Sequence, residues 1–292
     1  MNVSTPFNAF LIEQKIKGNS DNTLKYYGYC VNPFIEHLGV DFEIENLTVQ
    51  DLKKYVFCLQ NKDIASNTVK SYVKGLKVFL SWLYKEEYIK DDLSVKIPLP
   101  KAEKKVVNVL TDSEIKRLFS SFNIKTFLGI RNYCICALML DSGLRKNEIV
   151  SLQITDLHIA ENYAIVTGKG NKQRIVPLGL KSQKYLIKYL AMRPQTANCN
   201  QLFLTQSFTP IRQGTIDKEF KKLKKVFFTR RIYPHLLRHT FATRYLENGG
   251  NIYALQQILG HTSLDMVKKY VHLTQNKSVV YFSTFSPLDN IS

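Results

Sequence analysis

The sequence predicts a mainly α protein with a helical first domain and a mostly helical second domain that contains a small antiparallel sheet. Three observations predict this class. Apolar residues recur at helical spacing along most of the chain, two short β-prone segments flank a glycine-containing turn, and a stretch without periodicity separates the two halves. With 292 residues, of which 45% are hydrophobic, the chain can build two separate cores.

The first domain, residues 1–95, is predicted to consist of helices. Ser20 or Asn22 can cap the first helix, and Thr48 is a good N-cap for the second. About 18 residues precede the first of these helices. The predicted helices cover 23–38, 49–61 and 67–84.

One face of the third predicted helix carries Lys70, Lys74 and Lys77 at the i, i+4, i+7 spacing, beside an apolar stripe. A solvated lysine face and a face that contacts phosphate both fit this pattern. After this helix, prolines and a run of charges favour an exposed linker over 96–108.

The charge of the chain indicates a polyanionic partner. The 41 Lys and Arg residues exceed the 24 Asp and Glu residues, which gives a net charge of +17. Nucleic acid is the first candidate and a membrane surface the second. No apolar run approaches the roughly 18–20 residues of a spanning helix, and the N-terminus lacks a signal-peptide pattern. We therefore expect a soluble, cytoplasmic protein.

Five cysteines occur without paired C-x-x-C spacing. Cys134 and Cys136 lie inside an apolar run over 133–140. This pattern favours small buried hydrophobic residues in a reducing compartment over disulfides or a structural zinc site.

The second domain, residues 109–292, opens with Thr111 and Glu114, which are spaced as a capping box. The β-prone segments 163–167 and 174–177 flank a tight turn, which predicts a hairpin with lysines at its tip. Further helices are predicted over 181–192, 213–227, 236–248, 252–259 and 263–271.

Two imidazoles, a guanidinium and a phenol occur within a short stretch, at His235, Arg238, His261 and Tyr270. A tyrosine oxygen can attack a phosphodiester if fixed cations neutralise the phosphate and a proton donor releases the leaving oxygen. This chemistry requires no metal. Without further context, Tyr270, one of 16 tyrosines, would be predicted to be a core residue.

His235 and His239 have the i, i+4 spacing of two ligands in a helical metal site. The residues between them are Leu-Leu-Arg, with no glutamate base, and a guanidinium would repel a cation. We therefore expect no metal and no cofactor.

Five motifs together resemble the catalytic domain of the tyrosine recombinase, or phage integrase, family. Within this family the chain is most similar to compact Xer-type recombinases and mobile-element integrases. Residues 20–84 resemble, less sharply, the helical SAM-like core-binding domain of the family. The motifs are Ser142-Gly-Leu-Arg145-Lys-Asn-Glu148, the segment 168–177, His235-Leu-Leu-Arg238-His-Thr, Leu259-Gly260-His261 and Tyr270 nine residues after His261.

The resemblance implies catalytic roles. Arg145 and Arg238 form a clamp on the phosphate, and two guanidinium forks match the charge that develops on a pentacoordinate phosphorus. Lys169 protonates the leaving 5′ oxygen, and Tyr270 is the nucleophile. The remaining catalytic residues are His235, which assists proton transfer at the nucleophile, and His261, which hydrogen-bonds a phosphate oxygen.

Other residues are expected to support these. Glu148, at i+3 from Arg145, can orient the Arg145 guanidinium. His239 is expected to be structural or to lie behind the catalytic residues. Lys172 and Arg174 are expected to contact the DNA backbone or to be solvated charges.

The resemblance also implies site-specific recombination through a 3′-phosphotyrosine and a Holliday junction, by a homotetramer on double-stranded DNA, with or without a second recombinase. Relatives pass a C-terminal segment to a neighbouring protomer, and the apolar strip in 277–292 suits this role. The short N-terminal segment leaves no room for the arm-binding domain of many phage integrases.

Mobile-element integration or excision and resolution of DNA dimers both fit these motifs. Two other activities remain as alternatives. One is a DNA-binding accessory protein that has lost catalysis, against which the complete residue set argues. The other is DNA relaxation of the type IB topoisomerase kind, which uses a similar tyrosine site.

Overall fold

The computed structural model divides into two compact units, Met1–Val106 and Val107–Ser292. The structure describes residues 1–39, 41–101, 109–194, 199–227, 230–260 and 267, with only the backbone of Lys169. The regular structure of these residues consists of helices and one small antiparallel sheet, which confirms the predicted fold class. Within the described ranges, no helix is both long enough and apolar enough to cross a membrane.

The first unit contains all three helices that the sequence predicts. Ser20 caps α2, and Thr48 forms a capping box with Asp51 at the start of α3. The helices of this unit are α1 (Ser4–Ile16), α2 (Asp21–Leu38), α3 (Val49–Gln60) and α4 (Ser66–Lys85).

Helix α1 was missed, so the prediction that the first helix begins after about 18 residues is wrong. Apolar residues of α1 point in several directions. Phe7 and Phe10 are buried, whereas Ile12 and Ile16 are exposed. A helix without a clear polar face gives a weak periodic signal in the sequence. Pro6 also argues against a helix in the sequence, although proline is tolerated in the first turn, where Pro6 lies.

Helices α2 and α4 approach each other closely at Gly75. A Cβ at this position would lie 2.5 Å from Cys30 Cβ and 2.6 Å from its Sγ. Tyr26, also on α2, donates a hydrogen bond to the Ser71 carbonyl one turn earlier on α4. The lack of a side chain at Gly75 therefore allows α2 and α4 to pack this closely.

The second unit begins at the predicted capping box, in which Thr111 and Glu114 bond each other's backbone amides. Its helices are α5 (Asp112–Ser120), α6 (Phe127–Asp141), α7 (Lys146–Ser151), α8 (Leu180–Met192), α9 (Gln213–Lys222), α10 (Pro234–Glu247) and α11 (Ile252–Leu259). Its strands are β1 (Leu157–His158), β2 (Tyr163–Thr167) and β3 (Gln173–Pro177).

Helix α6 was not predicted because it is apolar on nearly every side and buried, which removes the periodic signal of an amphipathic helix. Cys134 and Cys136 are buried on it as free thiols, as expected. The helix predicted over 213–227 ends early at Lys222 and continues as a short 3-10 turn. The helix predicted over 263–271 lies outside the described residues except Val267, which is helical.

The sheet has the order β1-β2-β3, and all its pairs are antiparallel. The predicted hairpin is β2–β3, in which Thr167 pairs with Gln173. Its five-residue tip contains Gly170 and Asn171 at positive φ, the conformation for which glycine and asparagine are suited. The hairpin thus places Lys169 at its tip.

We expect Gly75→Ala to lower the free energy of unfolding of the first unit by about 1 to 3 kcal/mol, because the added methyl group collides with Cys30. The fluorescence of Trp82, the single tryptophan and a buried residue of α4, reports this transition in urea.

Gly28→Ala is the matched control. Gly28 also lies within a helix, but its Cβ would meet only Asn32 Nδ2, at 3.8 Å. This substitution should raise stability by up to about 1 kcal/mol through helix propensity. If both variants were equally stabilised, the close contact at Gly75 would not limit helix packing.

Candidate active site

The carboxylate of Glu148 lies on the first turn of α7 and is 2% exposed. Its Oε2 accepts the backbone N–H of Arg145 at 2.8 Å, and its Oε1 accepts Arg145 Nη1 at 2.9 Å. Arg174, on β3, donates to the same two oxygens, with Nη1 to Oε1 at 2.7 Å and Nη2 to Oε2 at 2.8 Å. The predicted orientation of Arg145 by Glu148 is therefore present, with a second arginine added.

Burial of the Glu148 carboxyl would by itself raise its pKa. The hydrogen bonds from Arg174 and from the Arg145 backbone outweigh this effect, and the positive charge of Arg174 adds to them, so the pKa falls to about 2. Glu148 is thus a buried anion at neutral pH, and both guanidiniums are tied to it.

The C-terminal end of α11 fixes three arginines. Each donates to one of three successive carbonyl oxygens, and the negative end of a helix dipole favours cations at this place. The bonds run from Arg174 Nε to Ile258 O at 2.6 Å, from Arg238 Nη2 to Leu259 O at 2.7 Å, and from Arg145 Nη2 to Gly260 O at 3.3 Å.

Gly260 ends α11 in the left-handed conformation, with φ of 62°. A Cβ at this position would lie 2.9 Å from Arg174 Cδ. A side chain here would therefore be strained and would also push Arg174 away. This geometry gives a physical reason for the glycine in the Leu259-Gly260-His261 motif.

Arg238, on α10, is 5% exposed and also donates through Nη1 to the carbonyl of Gly143. Gly143 has φ of +66°, and a Cβ there would lie 2.5 Å from the Phe241 ring. The turn before Arg145 therefore brings a backbone carbonyl to Arg238. The predicted clamp residues Arg145 and Arg238 share the same turn and the same helix end.

His235 lies in the first turn of α10 with an exposed side chain. Partial loss of hydration lowers the pKa of its imidazole, and the positive charges of Arg238, Arg145 and Lys146 lower it further. A neutral imidazole can accept a proton. Lys146 is itself held by Asp217, with Nζ at 2.9 and 2.8 Å from the two carboxylate oxygens.

The rings of His235 and His239 lie 6.5 Å apart, centroid to centroid. Among the residues that the structure describes, no group of three or more His, Cys, Asp or Glu side chains could hold a metal ion. His239 is half-buried on α10, behind the exposed His235.

Three predicted catalytic residues lie wholly or partly outside the described residues. His261 and Tyr270 lie outside the described residues, as does the tail 277–292, and only the backbone of Lys169 is described. Gly260, the residue before His261, is bonded to Arg145. Their catalytic roles stay predictions.

Of the predicted DNA contacts, Lys70 and Lys74 are exposed on α4, and Lys172 is exposed at the hairpin. Lys77 is half-buried and donates to the Ile97 carbonyl at 2.7 Å. Whether these lysines contact DNA stays a prediction.

Arg174 differs from its expected surface position. Its side chain is 12% exposed, and three of its donor groups are bonded within the protein. The expectation of a solvated charge is wrong because the buried Glu148 carboxylate and the end of α11 attract this guanidinium. The alternation of a strand with one buried face was the signal that could have indicated an inward position, since Val176, two residues later, is also buried.

The chain matches two family models. The phage integrase family model matches residues 108–277, and the model of the phage integrase N-terminal SAM-like domain matches residues 7–90.

Curated relatives match over most of their length. Tyrosine recombinase XerD of Halalkalibacterium halodurans is 29% identical, covering 98% of each chain, and tyrosine recombinase XerC of Bacillus pumilus is 31% identical, covering 89% of this chain and 88% of the relative. Among solved structures, the Tn1549 transposon integrase in complex with circular intermediate DNA has a TM-score of 0.76 at 20% identity, covering 98% of this chain and 100% of that one.

The two family models, which together match residues 7–90 and 108–277, define the class of protein. The chain belongs to the phage integrase family and is a site-specific tyrosine recombinase of the Xer type.

We expect Lys146→Met to raise the pKa of His235, because it removes one of the cations that disfavour the protonated imidazole. The pKa is measured by NMR titration of the His235 ring in the free protein. Lys184→Met removes an exposed lysine from α8 and should leave this pKa unchanged. An unchanged or lowered pKa in Lys146→Met would contradict the electrostatic origin of the shift.

Proposed function

We propose that this recombinase cleaves DNA by attack of Tyr270 on the scissile phosphate, which forms a 3′-phosphotyrosine and releases a 5′-hydroxyl. The P–O bond to the leaving 5′ oxygen breaks as the bond to the tyrosine oxygen forms. Rejoining reverses these steps with the 5′-hydroxyl of another strand. The new linkage keeps the energy of the phosphodiester, so neither ATP nor a metal is needed.

The observation that carries this proposal is the pair of guanidiniums, Arg145 and Arg238, fixed on consecutive carbonyls at the end of α11. Donors held in place before the reaction stabilise developing negative charge without a reorganisation cost. Arg145, 34% exposed, has donor groups left for a phosphate. We assign both arginines to the non-bridging oxygens.

The proton transfers are assigned to the other residues. His235, whose pKa is lowered by burial and by nearby cations, assists loss of the Tyr270 proton. This loss is needed because a free phenol has a pKa of about 10. Lys169, at the hairpin tip, protonates the leaving 5′ oxygen. His261, which follows the Gly260 carbonyl bonded to Arg145, hydrogen-bonds a phosphate oxygen. His239, one turn after His235, supports α10.

The substrate is proposed to be a double-stranded recombination site. The net charge of +17 supports this, and the related Tn1549 integrase was solved with circular intermediate DNA. Lys70, Lys74, Lys77 and Lys172 are the proposed phosphate contacts. Exchange between two duplexes needs four active sites, so we propose a homotetramer on DNA in the cytoplasm, with residues 1–95 as the core-binding domain and 96–108 as the linker.

The biological outcome is proposed as integration or excision of a mobile element, or resolution of DNA dimers. Both reactions use the same four strand transfers and differ only in where the two sites lie. A Holliday junction is the intermediate after the first two transfers.

Tyr270→Phe is expected to abolish the covalent adduct with a nicked suicide DNA substrate, because the phenol oxygen is the proposed nucleophile. Denaturing gel electrophoresis of labelled DNA measures the adduct. Tyr253→Phe, which removes the hydroxyl of an exposed tyrosine on α11, is the matched control and should form the adduct at the normal rate.

An adduct in Tyr270→Phe would show that another residue is the nucleophile. A two-site plasmid incubated with the unaltered protein separates the activities further. Exchanged products support recombination, whereas relaxation without exchanged products would support the topoisomerase activity instead.

A further inference from the structure

We propose that Arg174 is a positioning residue for strand cleavage, which fixes the Arg145 guanidinium through Glu148 and holds three active-site segments together. This inference deepens the function proposed above and rests on it. Arg174 is assigned no contact with substrate.

The contacts of Arg174 fix its whole guanidinium plane. Nη1 and Nη2 donate to the two oxygens of Glu148, and Nε donates to the Ile258 carbonyl. A planar fork can make these bonds at once, whereas a lysine ammonium, as a single point, cannot span them. Lysine at this position would therefore keep the charge and lose the geometry.

Arg174 joins segments that are distant in sequence. It lies on β3, two residues after Lys172 in the hairpin that carries Lys169, and it bonds the first turn of α7 and the end of α11. The first turn of α7 follows directly after Arg145, and the end of α11 leads into His261. Displacement of this one side chain would therefore release constraints on all three segments.

The guanidinium of Arg174 lies close to the backbone of Gly260. Cβ atoms built at Gly260 and Gly168 would lie 3.1 Å from Arg174 Nε and 3.6 Å from its Nη1. The group thus fits beside two glycine backbones, where a larger neighbour at Gly260 would displace it. The missing side chain at Gly260 therefore leaves the space in which Arg174 makes its three bonds.

The charges give Arg174 a second effect on Arg145. Without it, Glu148 would pair with Arg145 alone, and the carboxylate would cancel the charge that the phosphate requires. With it, two guanidiniums share one buried carboxylate, so this trio keeps a net positive charge. Arg174 therefore offsets Glu148 while the exposed part of Arg145 stays available to the phosphate.

We expect Arg174→Gln and Arg174→Lys to slow cleavage of a suicide substrate by about 10- to 100-fold at saturating protein, because small displacements of catalytic groups cost this much. The affinity for the DNA site should change by less than about 2-fold, and the slope of log affinity against log salt should not change. Single-turnover cleavage and binding titrations at several salt concentrations measure these quantities.

Two control experiments distinguish a positioning role of Arg174 from a simple loss of charge or of stability. Lys184→Gln removes one exposed positive charge from α8 and should leave the cleavage rate normal. In an Arg145→Lys background, which removes the guanidinium fork, adding Arg174→Lys should slow cleavage by much less than it does alone. Thermal unfolding measures the folded fraction, and if Arg174→Gln does not fold, Arg174→Lys carries the test.

Opposite results would overturn the inference. A phosphate contact at Arg174 would weaken DNA binding, reduce the salt slope by about 0.9 and leave the rate at saturation unchanged. Equal slowing in both Arg145 backgrounds would indicate general destabilisation. If the unaltered protein forms no adduct, the proposed function fails, whereas normal cleavage by both Arg174 variants defeats this inference alone.

Discussion

The candidate site depends on the pairing of the buried Glu148 carboxylate with two arginines, Arg145 and Arg174. A charge removed from water is tolerated only when it is paired and fully hydrogen-bonded. Glu148 meets this condition by binding two guanidiniums and one backbone amide, and its pKa of about 2 expresses the strength of this pairing. The positions of Arg145 and Arg174 thus follow from the need to compensate one anion.

The end of α11 provides the second constraint. Its last carbonyls lack partners within the helix and carry the negative end of the helix dipole. Arg145, Arg174 and Arg238 supply the missing donors. Three positive charges that would otherwise repel one another are therefore held together at one place, where we propose that the phosphate binds.

Sequence patterns predicted much of the fold and part of this arrangement. Amphipathic helices with capping residues were found, whereas α1 and α6 were missed because their apolar residues do not define one face. The Arg145–Glu148 pair was found because it is local. The position of Arg174, 26 residues from Glu148, was not, since strand pairing and burial decide which long-range charges meet.

The most direct test of this account is hydrogen exchange of the amides of β3, the strand that carries Arg174, in Glu148→Gln, which keeps the shape of the side chain and removes its charge. The free energy of opening should fall by about 3 kcal/mol at neutral pH, because two arginines lose their shared anion. Trp82 fluorescence, which reports the first unit, should give an unchanged unfolding transition. Unchanged protection of β3 in this variant would contradict the claim that the charge of Glu148 organises the site.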